Sequence, residues 1–259
     1  MIVNKETKIA VGDTMVEKVY QGDTILYDNR PFNYIEDNLY ILCDGIQNSA
    51  NGHISGTPTI WKNLKGNIDI QFATNTPWSI TKNAMKGYAP ANTQLQDSKL
   101  SARAYNINLG RNWTIEEHMT INSAGGSRWD SAHFFMALCN GSSVSFCNFF
   151  RNNCAISCGG YCGDFYNSTE TFLGQRITLT TVYNGTQFKI YINGVLVATA
   201  SNTYFYAPPQ IAIGPERMTQ SWYESKDYDV DFHSVRCYNR ALTDEEIQYN
   251  YEIDVKRFK

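Results

Sequence analysis

Charge, long apolar runs and any excess of positive residues are all scarce in this chain of 259 residues. Only 18% of residues are charged, against 42% apolar and 14% aromatic, a balance that supports a packed core and excludes intrinsic disorder. Lys and Arg number 22 against 25 Asp and Glu, a formal net charge of −3. No long-range field then draws the protein to phosphate backbones or anionic lipid, and nucleic acid is not expected as a partner. The basic residues Lys256, Arg257 and Lys259 gather at the end of the chain, where a helix C-terminus attracts positive charge. The longest apolar run, Ala132 to Cys139, is far too short to cross a bilayer, so no membrane insertion is expected. The opening Met1-Ile2-Val3-Asn4-Lys5-Glu6 does not have the basic-then-apolar order of a secretory leader, and the expectation is a soluble protein made in a reducing cytoplasm.

Seven cysteines are an odd number, so at least one has no partner within the chain, and a core of this size has little need of disulfides. Five of them fall between Cys139 and Cys162, with Cys154, Cys158 and Cys162 at every fourth position. Zinc sites start from closely spaced pairs backed by histidine, and only His133 is near. These cysteines read as small buried strand or loop residues, and neither a metal nor a cofactor is expected.

What the chain does contain is β-prone sequence cut by turns. Thr7 to Val11, Met15 to Tyr20 and Thr24 to Tyr27 are short β-prone runs separated by Gly12-Asp13 and Gly22-Asp23, which predicts a small three-stranded meander. Pro31 cannot donate to a ladder and marks a boundary, giving an N-terminal module over residues 1–31 and a main domain over 32–259. A module that small has too little core to stand alone and must pack on something. From Tyr34 onward, turn pairs such as Asn51-Gly52, Asn140-Gly141, Asn184-Gly185 and Asn193-Gly194 recur between β-prone runs, the spacing of an all-β sandwich or barrel. Between Ile177 and Ala200, both Asn-Gly pairs are expected at the tips of tight hairpins, with positive φ at both central positions. Only the C-terminus looks helical. Thr243 and Glu246 can form a capping box, and Ile247, Tyr251, Val255 and Phe258 recur at helical spacing, the first three expected to face the sandwich.

The runs Cys43-Asp44-Gly45-Ile46-Gln47-Asn48, Gly52-His53 and Thr59-Ile60-Trp61-Lys62-Asn63-Leu64-Lys65-Gly66-Asn67 resemble the opening of laminin-G-like, concanavalin-A-like jelly-roll domains. So do Trp113-Thr114-Ile115-Glu116, the hairpin Tyr191 to Val197, and the ending Ser234 to Ile247. The resemblance covers roughly residues 35 to 258, departs from the usual pattern between Cys139 and Cys162, and implies a two-sheet antiparallel jelly-roll sandwich with one C-terminal helix. It does not imply one activity, because lectins, adhesion modules, accessory domains of polysaccharide enzymes and virion proteins share the fold. Ile9 to Asp13, Val19 to Asp23 and Ile25 to Tyr27 resemble a short β-module that recurs in bacteriophage tail, baseplate and fibre proteins.

Glucanases of this fold project paired carboxylates from one strand face, in an E-x-D-x-x-E type of run. The sequence has no such run. Asp227, Asp229 and Asp231 alternate but lack the Glu partner and fall where the resemblance places a structural strand. His53, His118, His133 and His233 are scattered, without a nucleophile elbow or a metalloprotease motif. Glycan binding needs flat aromatic faces beside polar side chains, which Trp129, Tyr161, Trp222 and Tyr223 offer in turn-rich surroundings. The expectation is a non-enzymatic bacteriophage virion protein, open to forming a homo-oligomer, docked to other virion proteins through its N-terminal segment and binding host glycan or a neighbouring subunit through its jelly roll. A bacterial polysaccharide-binding module, or a glycan hydrolase with an unfamiliar site, are the alternatives.

Overall fold

The computed structural model describes residues 34–50, 59–72, 78–80, 83–89, 102–123, 133–140, 143–151, 155–160, 163–203, 205–214 and 228–258, with the backbone of four short strands before them. Those four are β1 (Ala10–Val11), β2 (Thr14–Met15), β3 (Lys18–Gln21) and β4 (Thr24–Asp28). The chain continues with β5 (Leu39–Asp44), α1 (Gly45–Ala50), β6 (Ile60–Trp61), β7 (Ile70–Gln71), β8 (Ser79–Ile80), β9 (Met85–Ala89), β10 (Ala102–Tyr105) and β11 (Trp113–Ser123). After these come β12 (His133–Asn140), β13 (Ser143–Arg151), β14 (Ala155–Gly160), β15 (Gly163–Asn167), β16 (Arg176–Tyr183), β17 (Gln187–Ile192), β18 (Val195–Ser201), β19 (Gln210–Ile213), β20 (Tyr228–Tyr238) and α2 (Asp244–Arg257).

Two antiparallel sheets make the jelly-roll sandwich. One runs β15-β14-β13-β12-β19-β10-β7-β6; the other runs β18-β17-β16-β11-β20-β9-β8, with β5 also paired to β20. Strand alternation decides which side chains meet between them. In β11, Trp113, Ile115, Met119 and Ile121 join the shared core with Phe146 and Phe150 of β13, Leu179 of β16 and Phe232 of β20. Glu116, His118 and Thr120 alternate with these and lie under α2 or beside it.

The N-terminal segment is two hairpins rather than one three-stranded meander. β1 pairs β2 across Gly12-Asp13 and β3 pairs β4 across Gly22-Asp23, and neither hairpin shares a ladder with the sandwich. The run Met15 to Tyr20 thus divides between the two.

Of the two Asn-Gly turns, one is as expected. Asn193 (φ 53°) and Gly194 (φ 79°) form the two-residue tip between Ile192 and Val195. At the other, only Gly185 (φ 91°) has positive φ. There Asn184 N–H donates to the Gln187 carbonyl, and the Asn184 carboxamide oxygen accepts from the Gln187 N–H at 2.9 Å. The tip moves on by one residue, to Gly185-Thr186, because the Asn side chain takes a local hydrogen bond in preference to a left-handed backbone.

α2 starts at the expected capping box, with Thr243 Oγ1 accepting from Glu246 N–H and Glu246 Oε2 accepting from Thr243 N–H. Its buried face differs from the predicted stripe. Ile247, Asn250, Ile253 and Asp254 are buried, as is Phe258 just beyond, whereas Tyr251 is half-buried and Val255 is 49% exposed. An apolar pattern could not show this rotation, because two of the buried positions are polar and answer charges in the sheet. Arg257 also does more than complement a helix dipole, since it donates to both Asp44 carboxylate oxygens at 2.9–3.0 Å. The short α1 was not expected. Its Gln47 N–H donates to Asp44 Oδ1, and Asn48 Oδ1 accepts from Asp44 N–H and from Trp61 Nε1. Gly45 is required there, because a Cβ would overlap the Asn83 carbonyl.

Candidate functional site

The four aromatic candidates fall outside the described residues: Trp129 within 124–132, Tyr161 at 161–162, and Trp222 and Tyr223 within 215–227. The described residues that flank them fix where each segment leaves the sandwich. Ser123 pairs with Asp229, so 124–132 departs beside the point where 215–227 returns. In the facing sheet Gly214 N–H donates to the Phe135 carbonyl at 3.2 Å, which brings the other ends of the same two segments together. The Tyr161 hairpin springs from Gly160 and Gly163 at the opposite end, where Gly160 pairs with Phe146. The sequence candidates therefore divide into one group attached at the Ser123 end and a lone tyrosine attached at the other.

A polar cluster stands at the Ser123 end. Asn122 Nδ2 donates to Asp229 Oδ1 and to Asp231 Oδ2, both at 3.0 Å, and Lys86 Nζ lies 2.8 Å from Asp229 Oδ2. Asp229 and Asp231 do share a face of β20, as their alternation requires; Asp227 is outside the described residues. Asp231 Oδ1 has no hydrogen-bond partner. The cluster offers carboxylate acceptors, an ammonium and an amide within one ladder width, a mixture that suits hydroxyl groups better than a single charged ligand.

A second group of carboxylates is sealed inside. Arg236 makes a bidentate pair with Asp254, at 2.7 Å on each oxygen, and donates from Nε to Glu116 Oε2 at 2.8 Å, all three side chains being fully buried. Tyr34, Thr178 and Asn250 supply further hydrogen bonds to this group. One guanidinium cannot neutralise two carboxylates. Burial pushes both up; the Arg236 charge and hydrogen bonds outweigh this at Asp254, which is held below the usual range, while Glu116 stays raised.

Two of the scattered histidines come together under α2. His118 and His233 have ring centroids 5.4 Å apart, and Phe258 packs on both. Burial lowers them to about 3 and about 4 respectively, so both are neutral at pH 7. Glu117 points the other way, between the sheets. Its Oε2 accepts from Asn148 Nδ2 at 3.2 Å, its Oε1 has no partner, and burial pushes its carboxyl up to about 8. None of these groups is accessible to a polymeric substrate. The sequence did carry a sign of Glu117, since Trp113, Ile115, Met119 and Ile121 put position 117 on the core parity of β11.

Sequence reasoning also passed over exposed aromatics. Tyr105 and Tyr206 are 41% and 72% exposed, and both flank Gln210, at the end of the sandwich opposite Ser123. Neither sits in the Gly- and Trp-rich setting that marked the other candidates. Of the cysteines, Cys43, Cys139, Cys147, Cys158 and Cys237 are buried, and among the described residues no group of three or more His, Cys, Asp or Glu could hold a metal ion. No helix among the described residues is long and apolar enough to cross a membrane.

Residues 96–248 match the family model of the concanavalin A-like lectin/glucanases superfamily. No curated protein matches the sequence. Among solved structures, the Trypanosoma rangeli sialidase in complex with sialic acid superposes with a TM-score of 0.61 at 14% identity, over 83% of this chain and 32% of that one. The binding domain of botulinum neurotoxin DC in complex with SialylT gives a TM-score of 0.58 at 10% identity, over 84% of this chain and 51% of that one. The chain thus spans a third to a half of the length of these neighbours, and at such identities the likeness is one of fold.

Proposed function

Because the chain belongs to the concanavalin A-like lectin/glucanases superfamily, we propose that it is a non-enzymatic glycan-binding jelly roll, carried on a bacteriophage particle. The observation that carries the glycan reading is the Asn122–Asp229–Asp231–Lys86 cluster at the root of the two segments that hold Trp129, Trp222 and Tyr223. Aromatic side chains suit the apolar side of a sugar ring, and the cluster supplies donors and acceptors for its hydroxyls. Sialic acid and SialylT in the two structural neighbours support the ligand class. Hydrolysis is not carried over, since this chain covers 32% of the sialidase. A binding rather than cleaving role is supported by the lack of an E-x-D-x-x-E run and by the burial of every described carboxylate whose pKa is raised.

A glycan array, followed by calorimetric titration and a reducing-end release assay on each hit, tests this. Saturable binding without product release is the expected result, with Trp222→Ala and Trp129→Ala weakening it. Release of product would establish the hydrolase reading instead, and an empty array would overturn the glycan reading.

Attachment to the particle is proposed through residues 1–31, whose two hairpins share no ladder with the sandwich. Limited proteolysis with mass spectrometry should remove them from free protein and leave residues 35–258 intact, whereas in particles they should resist. Resistance in the free monomer would count against docking.

A further inference from the structure

We propose that Tyr105 and Tyr206 form a second carbohydrate contact, at the opposite end of the sandwich from the Asn122 cluster, which takes the apolar face of a neutral pyranose. This rests on the glycan reading above but on different residues.

Sequence and backbone together fix the two tyrosines. Tyr105 ends β10 and pairs with Gln210, the first residue of β19, while Tyr206 precedes Gln210 by four positions. Ile107 N–H donates to the Pro209 carbonyl at 2.9 Å, which ties the chain after Tyr105 to the chain after Tyr206. Asn106, at φ 57°, turns the strand exit sharply. Beneath this surface, Phe205 packs on Trp113, Tyr183 and Phe188, with centroids 6.0, 5.3 and 4.9 Å away, and Ala207 and Ile107 belong to the core. Residues on both sides of Tyr206 are thus anchored inward, and Tyr206 itself is left 72% exposed, with no core to fill. An aromatic held this way loses little freedom on meeting a ligand.

Charge decides the class of ligand. Neither Tyr105-Asn106-Ile107-Asn108-Leu109-Gly110 nor Phe205-Tyr206-Ala207-Pro208-Pro209-Gln210 contains an Asp, Glu, Lys or Arg. Asn106 and Asn108 are exposed amides, which bond hydroxyls without selecting a charge, whereas the half-buried Gln210 accepts from the Arg103 guanidinium through Oε1 at 3.0 Å. Arg103 beside them is only 2% exposed and donates to Gln210 Oε1 and Cys139 Sγ, so an anionic sugar meets no accessible cation on these two segments. β14, from which the Tyr161 segment leaves, is four strand spacings from β10 in the sheet order, about 19 Å.

The experiment uses full-length protein and a neutral oligosaccharide identified on the array, titrated calorimetrically into the wild type, Tyr206→Ala, Tyr206→Phe, Tyr105→Ala and Trp222→Ala, with a melting curve for each. Tyr206→Ala and Tyr105→Ala should each weaken one class of site by about three- to tenfold, the range of a lost aromatic contact. Tyr206→Phe should bind as the wild type, because the ring face is kept, and Trp222→Ala should leave this class intact. Tyr206→Ala should melt as the wild type does, which separates contact from folding even if Tyr105→Ala is less stable. If both tyrosine variants bind like the wild type while Trp222→Ala abolishes binding, the second contact is overturned and the glycan reading stands. If wild-type protein binds only acidic glycans, the proposal fails on ligand class; if it binds none, both readings fail.

Discussion

Replacing Glu117 with Gln should stabilise the protein, and the gain should grow with pH. The carboxyl is fully buried between the sheets, and its pKa rises from 4.5 to about 8, through burial first, with the Asn148 hydrogen bond only partly opposing it. Between those values the unfolded chain has lost the proton that the folded chain keeps. Stability from this group is therefore whole below pH 4.5 and declines as pH rises toward 8. The slope is about 1.4 kcal/mol per pH step, which makes the loss about 3 kcal/mol at pH 7 and about 5 kcal/mol at pH 8 and above. Gln has nearly the same shape and no proton to lose. Its Oε1 can still accept from Asn148 Nδ2, and its Nε2 can donate to Asn148 Oδ1, which has no partner in the wild type. Urea unfolding of both proteins from pH 4.5 to 9 gives the difference directly. Curves that meet near pH 4.5 and diverge until about pH 8 are expected. A difference that stays constant with pH would refute the reasoning, because it would show that Glu117 does not hold its proton in the folded state.

The histidines act in the opposite sense. His118 and His233 lie below their ordinary 6.5, chiefly through burial, so their contribution is complete above that pH and is lost as pH falls toward about 3 and about 4. At pH 4.5 each should cost on the order of 2–3 kcal/mol, and His118→Gln should flatten the acid limb of the stability curve. Asp254→Ala leaves Arg236 buried without its bidentate partner and should cost about 3–5 kcal/mol, while a Glu116→Gln, Arg236→Met, Asp254→Leu triple variant, which leaves no buried charge, should recover most of it in denaturant titrations. Ile247→Ala should cost about 2–5 kcal/mol and Val255→Ala less than about 0.5, a contrast in melting curves that tests which face of α2 is buried.

Local signals were the legible part of the fold. Asn193-Gly194 and the Thr243–Glu246 capping box are settled by residues within a few positions, and the structure has both where the sequence puts them. Signals that depend on a distant partner were less legible. Val255 fits an apolar stripe, but Asn250 and Asp254 face inward because Glu116, Tyr34 and Arg236 await them, and no periodicity encodes that. Asn184 misled for a related reason, since its side chain competes with its own backbone for the turn. At the candidate site, the sequence pointed to Trp129, Trp222 and Tyr223 through turn-rich surroundings. It could not show that their segments meet the sheet at Ser123 and Asp229, or that Asn122 bridges two of the alternating aspartates. Tyr105 and Tyr206 were missed because exposure depends on how neighbours are anchored rather than on the residues themselves.

The charge network under α2 also sets an order of events during synthesis. Glu116 is made first, Arg236 follows 120 residues later and Asp254 another 18 after that, and β20, which pairs with β5, β9 and β11, completes the middle of its sheet. While a nascent chain has not reached Asp254, Glu116 and Arg236 lack that partner and favour water over burial. Strands already emerged must wait with unpaired edges until β20 arrives, the kind of long-range closure that folds slowly. A ribosome stalled between Tyr238 and Asp254 would hold every strand of the sandwich yet no native sandwich, and its closure should await the emergence of Asp254.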